Sequence, residues 1–80
     1  MLDVHTKKRL RVSTHEIAGA SLRIPEDQLE QIRQRLDREG ISYRVDSHVI
    51  SIDGGPEITY IHFGRKEDPG RIQAILDEAE

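Results

Sequence analysis

The stretch from Ile58 to Arg65, ITYIHFGR, is the feature that most limits how this chain can fold. Ile61 and Phe63 alternate with Tyr60 and His62, and successive residues of a β-strand point to opposite faces of the sheet. The pattern therefore predicts a strand with one apolar face and one mixed face. Such a strand suits a sheet that is covered on one side only.

Two segments have the period of helices that bury one side. Leu29, Ile32 and Leu36 follow helical spacing within positions 25–39, and polar residues fill the remaining positions. Gly40 then suits a left-handed C-cap. Prolines suit the first helical position, where an N–H would have no partner, and this predicts helix starts at Pro25 and Pro69.

The second helix has both a start signal and an apolar stripe. Asp68 is placed to act as its N-cap, accepting hydrogen bonds from the first turn. The stripe consists of Ile72, Ile75 and Leu76. Acidic residues crowd the negative end of the helix dipole, so fraying is expected at positions 78–80.

Between the helices, the period is that of β structure, and its phase slips once. Ile41, Tyr43 and Val45 form one alternating set, and a second set starts at His48. The slip at positions 46–47 indicates either a tight turn between two strands or a bulge in one long strand. The letters DGGP at positions 53–56 then predict a four-residue hairpin connection.

The N-terminal third contains further strand signals. The letters RLRVSTHEI at positions 9–17 alternate and predict a first strand. Positions 20–24, ASLRI, fit either a short second strand or an extended lead into the first helix. The charged residues 1–7 are expected to be flexible.

These elements predict an α+β fold in a single domain of residues 1–80. We expect a small two-layer sandwich with a ferredoxin-like split β-α-β arrangement, in which an antiparallel sheet of three to five strands carries both helices on one face. In that arrangement the first strand would lie centrally, beside the strand that starts at Ile58.

Composition narrows the function classes. The chain contains no cysteine, which excludes disulfides, zinc-thiolate sites and thiol nucleophiles. Its formal charge of −3 argues against nucleic acid as a partner. The sequence shows neither a secretory signal nor an apolar run of membrane length, so we expect a soluble, cytoplasmic protein with no membrane association.

The mixed sheet face is the predicted functional surface, because an apolar centre with a polar rim is typical of an interface. The candidate binding residues are Arg11, Ser13, His15, Arg44, Val49, Ile58, Tyr60 and His62. We expect a small interaction or regulatory module that docks on a protein partner or on a second copy of itself. The alternative is an accessory domain that binds a small ligand or metal through the histidines of this face.

Enzymatic chemistry has little support in the sequence. Ser13, Thr14, His15 and Glu16 are adjacent in sequence, but neighbouring strand residues point to opposite faces, so the run is not a triad. The four histidines, His5, His15, His48 and His62, show no metal-ligand spacing, and His15 and His62 would meet only if their strands were neighbours. We therefore predict no catalytic residues, no metal ligands and no cofactor.

Two stretches, LDREGISYRV and EDPGRIQAIL, are similar in style to small regulatory ACT-like domains. The resemblance implies a ferredoxin-like module that pairs through its sheet and binds a small effector. That family carries an acidic residue followed by Pro-Gly between the first strand and the first helix. Here Asp68, Pro69 and Gly70 instead open the second helix, so the resemblance assigns no site residue.

Overall fold

The computed structural model describes residues 1–46, 50, 51, 54, 55 and 57–78. Two helices and five short strands make up its regular structure. In chain order they are β1 (Ser13–His15), β2 (Gly19–Pro25), a single 3₁₀ turn (Glu26–Gln28), α1 (Leu29–Arg38), β3 (Arg44–Val45), β4 (Ile50–Ser51), β5 (Glu57–Gly64) and α2 (Pro69–Glu78).

The sheet is built around β5. Its order is β1, β2, β5, β3, with β4 also on β5, and every pairing is antiparallel. His62 of β5 pairs with Ser21 on one side and with Arg44 on the other. Because β3 and β4 lie along the same edge of β5, the sheet is four strands wide. The predicted α+β class is confirmed at this level: a small, compact fold with an antiparallel four-strand sheet and two helices.

The predicted phase slip falls between the two short strands β3 and β4. β3 and β4 are both antiparallel to β5 and lie on the same side of it, so they run in the same direction and are not a hairpin. Four positions, 46–49, separate their paired residues, whereas only positions 59 and 60 separate the partners on β5. The extra residues include 47–49, which lie outside the described part of the chain. The choice between a turn and a bulge concerns positions 46–47, and Ser47 lies outside the described residues.

The hairpin predicted at positions 53–56 lies between β4 and β5. Ser51 pairs with Glu57, and Gly54 takes the positive φ, 71°, that glycine favours in turns. Asp53 and Pro56 lie outside the described residues.

The prediction of a central first strand was wrong. Of positions 9–17, only Ser13–His15 join the sheet, as the edge strand β1, whereas Arg9 forms an isolated bridge with Leu2; β2 lies beside β5. The reason is an interaction with α2: the Gln73 amide donates to the Leu10 carbonyl (2.9 Å) and accepts from the Val12 N–H (2.8 Å). Leu10 and Val12 therefore bond to a side chain of α2 and not to the backbone of β2. Of the two alternatives for positions 20–24, the strand is the one observed.

A second glutamine holds the start of the chain in the same way. The buried Gln28 donates to the Leu2 carbonyl (2.8 Å) and accepts from the Val4 N–H (3.2 Å). The buried Met1 carries an amino group that donates to the Leu76 carbonyl. These contacts fix where the segment lies; the predicted flexibility of residues 1–7 concerns motion and stays a prediction.

The helix boundaries follow local chemistry, with one shift. The Asp68 carboxylate accepts from the Gly70 N–H (2.8 Å), which confirms the predicted cap of α2, and Gly40 has φ 70°, as expected after α1. Pro25, however, ends β2 instead of starting a helix, and the 3₁₀ turn comes before α1. The predicted fraying at the C-terminus falls on Glu78 and on positions 79–80, and the latter are outside the described residues.

Both helices and the sheet contribute to one hydrophobic cluster. Its members are Met1, Leu10, Ala20, Leu22, Ile24, Ile32, Leu36, Ile41, Ile61, Phe63, Ile72, Ile75 and Leu76. Leu22 and Ile24 come from β2 and face the same side as Ile61 of β5. This side of the sheet is the core side.

We expect Gln73→Leu to lower the free energy of unfolding by about 1–2 kcal/mol, because it leaves two part-buried backbone groups without their partner. Gln34→Leu is the matched control, since Gln34 is exposed on α1. Urea denaturation measures both variants. Equal losses would show that the hydrogen bonds of the Gln73 side-chain amide contribute nothing to the free energy of unfolding.

Gly19→Ala should be more damaging than Gly40→Ala. Both glycines have positive φ, but a Cβ on Gly19 would lie 2.2 Å from the Gly64 carbonyl oxygen, whereas a Cβ on Gly40 would meet nothing within 4 Å. We expect a loss of about 1 kcal/mol at Gly40 and about 3 kcal/mol or more at Gly19. Thermal denaturation distinguishes the two, and similar melting temperatures would contradict the close approach of β2 and β5.

Candidate interaction surface

Alternation along β5 divides the sheet into two faces. Thr59, Ile61 and Phe63 are buried on the core side, whereas Tyr60 and His62 between them are half-buried. Directly paired residues of antiparallel strands share a face, so the register assigns neighbours to the second side. We call this side the open face; it comprises Ser13, Ser21, Arg23, Arg44, Ile58, Tyr60 and His62.

The register places these side chains in rows across the sheet. One row runs from Ser13 through Ser21 and His62 to Arg44. The next row sets Arg23 of β2 beside Tyr60 of β5. Cations therefore stand on both sides of the central aromatic residues.

Five of the predicted site residues belong to the open face as defined: Ser13, Arg44, Ile58, Tyr60 and His62. A sixth, His15, lies two positions after Ser13 in β1 and so projects to the same side. Arg11 precedes β1 and lines a cleft beside the N-terminal segment. Val49 lies outside the described residues, as does His48.

Arg23 is an open-face residue that the sequence reasoning missed. The sequence contains a signal for it, which is the alternation of apolar and polar residues along this segment: Ala20, Leu22 and Ile24 against Ser21 and Arg23. Once positions 20–24 are recognised as a strand, Arg23 must point away from the core.

His62 is held by two neighbours on this face. Its Nε2 lies 3.3 Å from an Asp46 carboxylate oxygen, and its ring is nearly parallel to that of Tyr60, at 19° and a centroid distance of 6.4 Å. The side chain retains 33% of its exposure. His62 and Tyr60 thus form a partly exposed aromatic platform whose polar edge is already occupied by Asp46.

His15 has a different role and does not meet His62. β2 lies between β1 and β5, so the strands that carry the two histidines are not neighbours. The His15 Nδ1 accepts from the N–H groups of Ile17 (3.1 Å) and Ala18 (3.3 Å) in the turn between β1 and β2. The condition for a meeting of His15 and His62, that their strands be neighbours, is therefore not met, and His15 instead closes a turn.

No metal centre is evident in the described part of the chain. Groups of three or more histidine, cysteine, aspartate or glutamate side chains in ligand geometry are absent from residues 1–46, 50, 51, 54, 55 and 57–78. His5, the remaining described histidine, lies 3.0 Å from an Asp27 carboxylate oxygen.

The arginines of the open face lack side-chain partners among the described residues, as do Arg35 and Arg38 of α1. Arg23 and Arg44 make no ion pair or side-chain hydrogen bond with any described residue. On α1, by contrast, Arg33 donates to the Tyr43 hydroxyl (3.4 Å), which raises the pKa of Arg33, with a smaller contribution from Glu30 at 3.9 Å. The open face thus presents cations that lack protein partners within the described structure.

Comparison with protein-family models, with curated proteins and with solved structures finds no match to this chain. Among the helices in the described part of the chain, none combines the length and apolar character needed to cross a bilayer.

We expect His15→Ala to speed amide hydrogen exchange at Ile17 and Ala18, because their N–H groups lose an acceptor. The loss of global stability should be about 1 kcal/mol or less, since the turn is exposed. His62→Ala is the control and should leave exchange at both amides unchanged. Unaltered exchange in His15→Ala would contradict the turn-closing role.

Proposed function

We propose that this chain is a non-enzymatic interaction module that binds an acidic patch of a partner protein through its open face. The observation that carries the proposal is the placement of Arg23 and Arg44 beside Tyr60 and His62, with neither arginine paired to a described residue. Unpaired guanidinium groups can form charge-assisted, two-pronged hydrogen bonds with carboxylates.

The apolar part of the face supports a protein as the partner. Ile58 and Tyr60 are half-buried and project from the central strand, where a partner side chain can cover them. Tyrosine and arginine are enriched among the residues that contribute most to binding at protein interfaces. The rows of the sheet bring these two residue types together.

Charge favours an acidic partner over a second copy of this chain. In a symmetric dimer the same patch meets itself, so Arg23 and Arg44 would approach other arginines. Asp46, the carboxylate beside this face, is already next to His62. The chain as a whole carries a formal charge of −3, so the cationic face stands out from the rest of the molecule.

The proposal includes the finer architecture expected from the sequence, a two-layer ferredoxin-like sandwich with a split β-α-β unit. Its support is that α1 connects β2 to β3 while β5 lies between these two strands. It also includes action in the cytoplasm without a cofactor, which the absence of cysteine supports.

The test uses a fluorescent peptide with six glutamates around a central tyrosine, and its glutamine counterpart. We expect the glutamate peptide to bind more tightly and its affinity to fall between 50 and 300 mM salt, because the attraction between exposed charges is screened. Arg44→Gln and Tyr60→Thr should each weaken binding by about fivefold. Arg38→Gln, on the exposed side of α1, is the matched control. Fluorescence anisotropy gives the affinities.

Sedimentation and amide chemical shifts complete the test. We expect a monomer at all concentrations and peptide-induced shifts confined to β2, β3 and β5. Equal binding of both peptides, or shifts centred on the helices, would refute the proposal. So would a dimer that Tyr60→Thr dissociates, since the occupant of the face would then be a second copy.

A further inference from the structure

A cleft opens where the N-terminal segment leaves the sheet. β1 pairs with β2 only over residues 13–15 and 19–21, and upstream of β1 the chain turns towards Gln73. The gap between residues 3–11 and the second half of β2 has a volume of about 410 Å³. We call it the N-terminal cleft.

The floor of the N-terminal cleft is apolar. Leu10 and Ile24 are 4% and 1% exposed, and both belong to the hydrophobic cluster. Pro25, the last residue of β2, pairs with Ile58 near the start of β5, and these two residues complete the floor. A ligand that entered here would place its apolar part against the side chains of these four residues.

The rim of the cleft is cationic, and three of its cations have no partner among the described side chains. Lys8, Arg11 and Arg23 line it, and their side chains make no ion pair or hydrogen bond with any described residue. The other basic groups on the rim, Arg9 and His5, lie 3.6 Å from Asp77 and 3.0 Å from Asp27.

The acidic residue of the lining is also engaged. The Asp3 carboxylate accepts from the N–H groups of His5 (2.8 Å) and Thr6 (3.0 Å), which closes the loop of the N-terminal segment. Among the described residues that line the cleft, Asp3 supplies one negative charge against the three positive charges of Lys8, Arg11 and Arg23.

We propose that the N-terminal cleft binds a small organic anion, with its apolar body on Leu10, Pro25 and Ile58 and its carboxylate or phosphate between Arg11 and Arg23. Ligand sites are commonly concave and apolar with a few polar groups that fix orientation, and this cleft has that composition. Arginine side chains suit both anions, because each guanidinium presents a planar set of donors. The site goes beyond the proposed function: it takes a different class of ligand, and of the open-face arginines only Arg23 lines it.

The test compares 1-naphthyl phosphate and 1-naphthoate with two ligands that each carry half of the features, inorganic phosphate and 1-naphthalenemethanol. We expect at least one naphthyl anion to bind about tenfold more tightly than inorganic phosphate or 1-naphthalenemethanol, as measured by isothermal titration calorimetry. A tighter naphthyl phosphate would identify a phosphate ligand, and a tighter naphthoate would identify a carboxylate ligand. Either result supports the site.

Variants locate the binding. Arg11→Gln should weaken binding of the naphthyl anion by about tenfold. Arg11→Lys should weaken it by less, because lysine keeps the positive charge but lacks the planar pair of donors of a guanidinium. Arg38→Gln is the matched control on α1. Arg44→Gln should leave binding of the naphthyl anion unchanged although it weakens binding of the acidic peptide. The cleft proposal and the proposed function can therefore be refuted independently.

Three results would overturn the inference: no binding of either naphthyl anion, equal binding of the neutral alcohol, or equal weakening by Arg11→Gln and Arg38→Gln. Ile58→Thr provides a second test that leaves the arginines intact. It should weaken binding of the naphthyl anion and leave the weaker binding of inorganic phosphate unchanged. Thermal denaturation of each variant confirms that it is folded before titration.

Discussion

The pairing of β5 with strands on both of its sides is the constraint on which the rest of the structure depends. It places Ile61 and Phe63 in the core together with Leu22 and Ile24 of β2. The same pairing turns Tyr60 to the other side, beside Arg23. Core and open face are therefore two outcomes of one register, and a slip by one residue would exchange them.

The parts of the fold that the sequence predicted are those in which local chemistry and burial agree. The apolar stripe of α2 starts after an aspartate cap and a proline, and each of these features favours the same helix. β5 was equally clear, because its alternation continues until Gly64. The open-face positions of Tyr60 and His62 followed directly from that period.

The misplaced first strand shows where local patterns stop being informative. Leu10 and Val12 alternate as a strand would, yet their backbone groups bond to a side chain that is distant in sequence. Nothing in the period of residues 9–15 distinguishes a strand neighbour from the amide of Gln73. The N-terminal cleft was hidden for the same reason, since it exists only because the chain leaves β2 at this point.

The central position of β5 also has a consequence for how the molecule is made. Of all the strands, β5 comes last in the chain, yet it lies between β2 and the line of β3 and β4. A ribosome releases β2, α1 and β3 before the strand that joins them. Until Gly64 has emerged, the nascent chain exposes the inner edge of β2, and exposed edges are where strands of other chains can add. Assembly of the sheet is thus a late and long-range step in the life of the chain.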